Sequence, residues 1–198
     1  MQESIIQNWW NSFLQQVQEP ERSVALKEAS LAENLGDWTR LTTEAVVLTS
    51  ESIGWEATAR GHRLKRLPES ASEYLALDAM AFPDRESCGE VAWPMPVAVF
   101  ELENSPRDDR VAYSLWKVLC IRSPLRMVYA YRRNWDETRR LMNHLASEVV
   151  GSLSLHDRKK LDGITTVVTG SRGESETFPH GYFKLWLLDA NLGKFERI

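Results

Sequence analysis

The spacing of hydrophobic residues predicts three helices at the start of the chain. Between residues 3 and 18 the apolar side chains recur at steps of three and four, as in an amphipathic helix: Ile5, Ile6, Trp9, Trp10, Phe13, Leu14 and Val17. Pro20 ends this helix, because proline lacks the amide hydrogen that a helix interior needs. The same spacing predicts a second helix from about Glu21 and a third from about Asp37.

Apolar runs of strand length follow further along the chain. Residues 74–82 and 96–103 each form such a run, and a Pro-Asp turn signal at residues 83–84 follows the first. The second run is almost continuously apolar, which is typical of a central strand covered on both faces. A helix predicted over residues 108–122 separates it from a further strand at residues 126–131.

The order strand, helix, strand predicts that the strands on either side of the helix at residues 108–122 are parallel and joined by a right-handed crossover. A helix over residues 135–149 and two late strands, at residues 164–169 and 182–188, complete the pattern. We therefore predict one α/β domain over residues 1–198, with a mixed central sheet flanked by helices and a helical N-terminal part.

Composition places the chain among ordinary globular proteins, because 43% of its 198 residues are hydrophobic and 26% are charged. Cys88 and Cys120 lack CxxC spacing, so we expect neither a disulfide framework nor a cysteine zinc site, and a reduced, cytoplasmic compartment fits best. We also expect no signal peptide and no membrane association, because no apolar run approaches the roughly 18 residues of a membrane span.

Charge changes sign along the chain. Residues 1–59 hold nine acids and three bases, so we expect this part to repel phosphate and to pack as a cap or a partner surface. A basic cluster begins at residue 60, which makes residues 60–198 the predicted α/β core. Residues 107–140 hold nine bases and four acids, which favours either phosphate contacts or a solvated helix surface. The net charge of −4 gives no overall attraction to nucleic acid, so any contact needs a local patch.

The candidate chemistry lies in three acids. Glu101 and Glu103 close an apolar strand, and they share one face because side chains two residues apart in a strand point the same way. Asp78 interrupts the preceding apolar run. Buried carboxylates close together raise one another's pKa, and a hard divalent ion such as Mg²⁺ relieves that repulsion. This chemistry is typical of phosphodiester hydrolysis.

The order Asp78, hairpin, Glu101-Leu102-Glu103, helix and apolar strand resembles the PD-(D/E)XK nuclease superfamily, which has the restriction endonuclease-like fold. The resemblance covers roughly residues 60–133. It implies a nuclease in which Asp78, Glu101 and the carbonyl oxygen of Leu102 hold Mg²⁺ or Mn²⁺. It also implies a nucleic-acid partner and a homodimer. Glu103 stands where the family places its lysine, and it acts either as general base or as a further metal ligand.

Several alternatives remain open at this stage. Asp84, which follows Pro83, competes with Asp78 for the role of the aspartate. A relocated lysine, Lys117 or Lys65, can replace the motif lysine, although the helical wheel predicts that Lys117 points to solvent. Acids on the N-terminal helices can add a ligand, namely Glu44, Glu51 and Glu56.

The basic residues nearest the predicted site are expected to contact phosphate groups: Arg63, Lys65, Arg66, Arg107, Arg110 and Lys117. The competing hypothesis is a catalytically inactive relative that serves as a binding or assembly module, in which Trp9 and Trp10 face a partner chain. The four histidines show no metal-ligand spacing, and the chain has no GxxxxGK[ST], GxGxxG or GxSxG motif, so other catalytic classes are not supported.

Overall fold

The computed structural model describes residues 2–65, 67, 73–84 and 93–198. Within them, seven strands form one mixed sheet whose spatial order equals the order along the chain. The strands are β1 (Trp55–Ala59), β2 (Ala79–Pro83), β3 (Ala98–Glu103), β4 (Leu125–Arg132), β5 (Ile164–Ser171), β6 (Phe183–Asp189) and β7 (Lys194–Arg197). Strands β3, β4 and β5 are parallel, and every other neighbouring pair is antiparallel.

Helices lie on both faces of this sheet, which confirms the predicted mixed α/β fold. Those described are α1 (Gln2–Gln18), α2 (Pro20–Leu31), α3 (Leu35–Ser52), α4 (Asp108–Leu119), α5 (Trp135–His144), which continues as a π-helical turn (Leu145–Val150), and α6 (Leu155–Lys159). The parallel pairing of β3 and β4 around α4 is confirmed as well. None of the described helices combines the length and the apolar character that a membrane crossing requires.

The N-terminal helices cover one face of the sheet. Trp9 is fully buried, stacks on Phe13 at 5.2 Å between ring centroids and lies 5.4 Å from the ring of Phe100 on β3. Trp10 is partly buried and packs against the same core. The hypothesis that this tryptophan pair faces a partner chain is therefore wrong for Trp9, because the ring fills the interface between α1 and the sheet.

Helices α4 and α5 cover the other face. Val111 and Leu115 of α4 and Leu141 of α5 are fully buried in one cluster with Val99 of β3 and Val128 of β4. Since side chains alternate along a strand, Glu101 projects from β3 to the same face as Val99. Glu101, one of the three acids predicted to be catalytic, therefore lies under α4, on the face opposite the N-terminal helices.

The structure corrects the strand predicted over residues 74–82. Tyr74–Ala76 form a single 3₁₀ turn, and β2 begins only at Ala79. Leu75 and Ala76 have φ angles of 54° and 53°, the left-handed region that side chains with a Cβ rarely adopt. Apolar composition alone did not distinguish this turn from a strand. The edge strands β1 and β7 were not predicted, because neither segment shows a run of strand-forming residues.

The structure describes one of the two cysteines. Cys120 follows α4 and is an exposed free thiol. Cys88 lies outside the described residues.

Candidate functional site

Strand pairing brings Asp78 and Glu101 together. Ala79 pairs with Phe100 in the antiparallel ladder of β2 and β3, so Asp78 lies directly across from Glu101, one residue further along. One carboxylate oxygen of Asp78, Oδ2, accepts a hydrogen bond of 2.6 Å from the backbone N–H of Leu102. This bond holds the aspartate against β3 at the point where β2 begins.

Lys117 supplies a positive charge to this pair. Its Nζ lies 2.7 Å from Oε2 of Glu101 and donates a second hydrogen bond of 2.6 Å to the carbonyl oxygen of Ala76. The prediction that Lys117 points to solvent is therefore wrong: its side chain is 21% exposed and that of Glu101 only 5%. Lys117 lies on the edge of the apolar stripe of α4, three residues after the buried Ser114, and its long side chain reaches back over the sheet.

We use the name acid–lysine cluster for Asp78, Glu101 and Lys117. Burial is the main cause that raises the pKa of Glu101 to about 7; the nearby charge of Asp78 contributes to this rise, and the Lys117 ammonium opposes it. Burial also raises the pKa of Asp78, against the lowering effect of its bond from Leu102. A carboxyl group whose pKa lies near neutrality can give or take a proton under physiological conditions, as catalytic acids and bases must.

Glu103 does not join the acid–lysine cluster. It shares a face with Glu101, but its Oε1 accepts a hydrogen bond of 2.7 Å from the backbone N–H of Ser105, in the turn that follows β3. The negative charge of Glu103 nevertheless contributes to the raised pKa of Asp78, as the smallest of its causes. In the described part of the chain, no three acidic, histidine or cysteine side chains converge in a group that could hold a metal ion. The structure thus brings together two of the three predicted carboxylates.

The alternative acids lie elsewhere. Asp84 follows β2 at the end opposite Asp78, so the length of the strand separates it from Glu101. Glu44 and Glu51 belong to α3, which packs on the other face of the sheet, and Glu44 forms an ion pair with Arg40. Glu56 lies on β1 across from Phe82, at the far part of β2. None of these four acids reaches the acid–lysine cluster.

The predicted phosphate-binding residues are distributed over two segments. Arg107 and Arg110 are exposed at the start of α4, where Arg107 forms an ion pair within its own turn. Arg63 and Lys65 are exposed in the segment that precedes β2. Arg66 lies outside the described residues. Lys117, the sixth, belongs to the acid–lysine cluster.

Two exposed aromatic rings lie beside the acid–lysine cluster and were not predicted as functional. Tyr113 and Trp116 of α4 are 55% and 51% exposed, and their ring centroids are 6.0 Å apart. Lys117 links them to the acids, because its Nζ lies 5.9 Å from the centre of the Tyr113 ring. Large aromatic side chains left in water next to a charged site favour a stacking role. In the sequence, the one sign of a functional role is that both aromatic residues lie outside the apolar stripe of an amphipathic helix.

The arrangement has the elements of an acid–base site: two coupled carboxyl groups of raised pKa, one ammonium group and an aromatic surface. The backbone supports it with a left-handed turn at Leu75 and Ala76, and local strain of this kind often accompanies functional sites. Comparisons of the chain with family models, with curated proteins and with solved structures found no match.

Proposed function

We propose that this protein is a metal-dependent nuclease whose active site is the acid–lysine cluster. The observation that carries the proposal is the buried cross-strand pair Asp78 and Glu101, with the Lys117 ammonium 2.7 Å from Glu101. In this proposal Lys117 takes the part of the motif lysine from the helix that follows β3. Glu103 stands at the motif position itself but lies outside the cluster, where its Oε1 accepts a hydrogen bond from the backbone N–H of Ser105, so it is not assigned a role in proton transfer.

The residues fit a divalent cation. Oε1 of Glu101 is buried and, within the described residues, accepts no hydrogen bond of ordinary geometry, although the Ser114 hydroxyl lies close enough to lower the pKa of the carboxyl group; this oxygen is the one left for a metal. Mg²⁺ is commonly held by one or two carboxylates together with water and phosphate oxygens, and Asp78 and Glu101 would supply the two. When bound, such an ion stabilises the charge that develops on the scissile phosphate. Burial is the main cause of the raised pKa of both acids, and the charge of Asp78 adds to that of Glu101, so a cation between them would stabilise the ionised form of each.

The neighbouring side chains fit a nucleic-acid substrate. Tyr113 and Trp116 offer exposed rings on which unpaired bases can stack, an interaction that contributes roughly 1–3 kcal/mol per base. Arg110 lies on the first turn of the same helix, is exposed and is available to contact the phosphate backbone, whereas Arg107 directly precedes the helix and pairs with Asp109. Base-stacking rings and a backbone-binding cation on one helix beside the acids favour nucleic acid over a small phosphate ester.

A cleavage assay on labelled single- and double-stranded DNA and RNA, with Mg²⁺ or Mn²⁺, tests the proposal. Asp78→Asn and Glu101→Gln keep the shape of each side chain, and each is expected to reduce the cleavage rate by at least about a hundredfold. Asp84→Asn is the matched control, because it removes the same charge at the other end of β2. The proposal is refuted if Asp78→Asn and Glu101→Gln cleave like wild type, or if wild type cleaves none of the substrates.

One observation favours the second candidate function, an inactive binding module. Lys117 already neutralises Glu101, and only two carboxylates converge in the described structure, so the pair can be stable without a metal. A calorimetric titration with Mg²⁺ or Mn²⁺ separates the two functions. Binding heat that disappears in Glu101→Gln supports the nuclease, whereas the absence of heat at millimolar metal supports the binding module.

A further inference from the structure

A second feature of the fold is a cleft of about 490 Å³ at the carboxyl edge of the parallel strands. Asn104 follows β3, Arg133 follows β4 and Arg172 follows β5, and all three line it. Leu35 at the start of α3 and Arg140 on α5 also line the cleft. In open α/β sheets, ligands bind in crevices outside the carboxyl ends of the strands, so this is the expected place for a ligand.

The basic side chains of the cleft fall into two groups. Arg132 is 6% exposed and fully engaged, because it binds Asp108 and the backbone carbonyl oxygens of Ser105 and Tyr131. It forms the wall of the cleft and is not free to bind a ligand.

The other three arginines have unpaired side chains. In the described part of the chain, the guanidinium groups of Arg133, Arg140 and Arg172 form neither an ion pair nor a hydrogen bond. Arg172 is the most constrained of them, since its guanidinium lies 5.9 Å from the centre of the Tyr131 ring. Arg133 and Arg140 are exposed and Arg172 is half-buried, so three guanidinium groups without a partner among the described residues line one cleft and can attract an anion.

The acids of the cleft do not cancel this charge. Asp108 is neutralised by Arg132, and Glu137 accepts a hydrogen bond from the backbone N–H of Arg133. Glu33 is the remaining acid of the lining, and it is exposed. The three unpaired arginines therefore face two acids, which leaves a positive surplus in the cleft.

We propose that this cleft binds a phosphate monoester of about the size of a mononucleotide. Guanidinium groups bind phosphate oxygens through two parallel hydrogen bonds, and three of them suit a group with two negative charges. The volume lies within the range of about 300–1,000 Å³ that small-molecule sites occupy. The phosphate can belong to a free nucleotide or to the terminus of a nucleic-acid strand. The proposal does not depend on nuclease activity, because none of the lining residues belongs to the acid–lysine cluster.

Calorimetric titration of the full chain with adenosine 5′-monophosphate tests the proposal, with inorganic phosphate as the minimal probe and adenosine as the control that lacks phosphate. Arg140→Gln and Arg172→Gln are each expected to weaken nucleotide binding at least about tenfold, as the loss of a charge-assisted hydrogen bond predicts. Arg139→Gln is the matched control. Arg139 directly precedes Arg140 on the same helix, carries the same charge and pairs with Asp136 outside the cleft.

Competition by oligonucleotides identifies the source of the phosphate. A 5′-phosphorylated strand that displaces the nucleotide, while the 5′-hydroxyl strand does not, indicates a strand terminus; displacement by neither indicates a free nucleotide. The proposal is overturned if the nucleotide does not bind, if adenosine binds equally well, or if Arg139→Gln weakens binding as much as the cleft variants do. Glu101→Gln is expected to bind the nucleotide normally even where cleavage is lost, so a failure of the nuclease proposal leaves this one intact.

Discussion

Lys117→Met is expected to destabilise the protein by an amount that depends on pH. The substitution keeps the length and apolar stem of the side chain but removes the ammonium group that contacts Glu101 and the carbonyl oxygen of Ala76. Glu101 is nearly buried, and an unpaired buried carboxylate is so unfavourable that the group takes up a proton instead. The variant therefore folds with a neutral Glu101 at all but strongly alkaline pH.

The size of the effect follows from the pKa of Glu101, about 7 in the wild type. At pH 8.5 the paired, ionised form of wild-type Glu101 is more stable than its protonated form by about 2 kcal/mol, since one pKa unit corresponds to about 1.4 kcal/mol. The variant cannot gain this energy. At pH 5.5 Glu101 is protonated in both proteins, and only the hydrogen bond to Ala76 is lost, about 1 kcal/mol. We therefore expect a loss of about 1 kcal/mol at pH 5.5 and about 3 kcal/mol at pH 8.5.

Urea unfolding followed by tryptophan fluorescence measures both values, in metal-free buffer so that no cation replaces the ammonium group. Lys160→Met is the matched control, because Lys160 is exposed and distant in sequence from the cluster, and its replacement is expected to change stability equally little at both pH values. The same loss for Lys117→Met at pH 5.5 and at pH 8.5 would show that Glu101 does not titrate in response to Lys117, and would refute the reasoning.

Three further predictions concern stability. The folded pKa of Glu101, about 7, lies above its ordinary value of 4.5, so the folded state binds the proton more tightly, and Glu101 should contribute a fall of about 3 kcal/mol in wild-type stability as pH rises from about 4.5 through 7. Glu101→Gln should lose this contribution and keep that of Asp78, whose pKa burial also raises, whereas parallel pH curves would contradict the prediction. Gly170→Ala places a Cβ 2.6 Å from the Tyr131 ring and 2.7 Å from the Tyr182 ring, and it should lower the free energy of unfolding by about 1–3 kcal/mol. Gly36→Ala, whose Cβ would lie 3.5 Å from Oδ1 of Asn34, should not destabilise the protein, and equal effects would be inconsistent with crowding. Tyr182→Phe removes a hydroxyl 3.1 Å from that of Ser30 and should lower the urea midpoint by the equivalent of about 1 kcal/mol, and an unchanged midpoint would argue against that bond.

Much of the fold was predictable because its elements carry strong periodic signals. The stripe from Ile6 to Val17 predicted α1, and the continuous apolar run of β3 predicted a central strand. The helix between β3 and β4 predicted their parallel pairing, because a crossover is needed to return the chain. Edge strands such as β7 were missed, since one polar and exposed face leaves little hydrophobic pattern to detect.

The site was predictable only in part. That Asp78 and Glu101 lie together was expected from the resemblance to a nuclease superfamily, and the register of β2 and β3 places them side by side, although Asp78 precedes β2. The contact of the Lys117 side chain with Glu101 could not be predicted from the sequence, because a helical wheel gives the direction of a Cβ atom and ignores the length of the side chain. The buried Ser114, a polar residue within the apolar stripe of α4, was the available sign that this face of the helix lies against something polar.

The sequence did not predict the cleft, although Arg133 and Arg140 fall within the basic stretch at residues 107–140. Arg133, Arg140 and Arg172 lie on three separate segments, and only the sheet brings them to one edge. Sequence spacing identifies groups that share one helix or one strand, whereas groups assembled from several strand ends need the topology to be known.

The agreement between strand order in the sheet and strand order in the chain has a consequence for biosynthesis. Every strand after β1 pairs with the one translated just before it, so each finds one of its partners already made when it leaves the ribosome. The helices that cover the first face are already complete when β1 emerges. Glu101 then arrives with β3 as an uncompensated charge, and its partner Lys117 follows on the very next helix. The nascent chain can thus pair the Glu101 carboxylate with the Lys117 ammonium soon after both residues are synthesised.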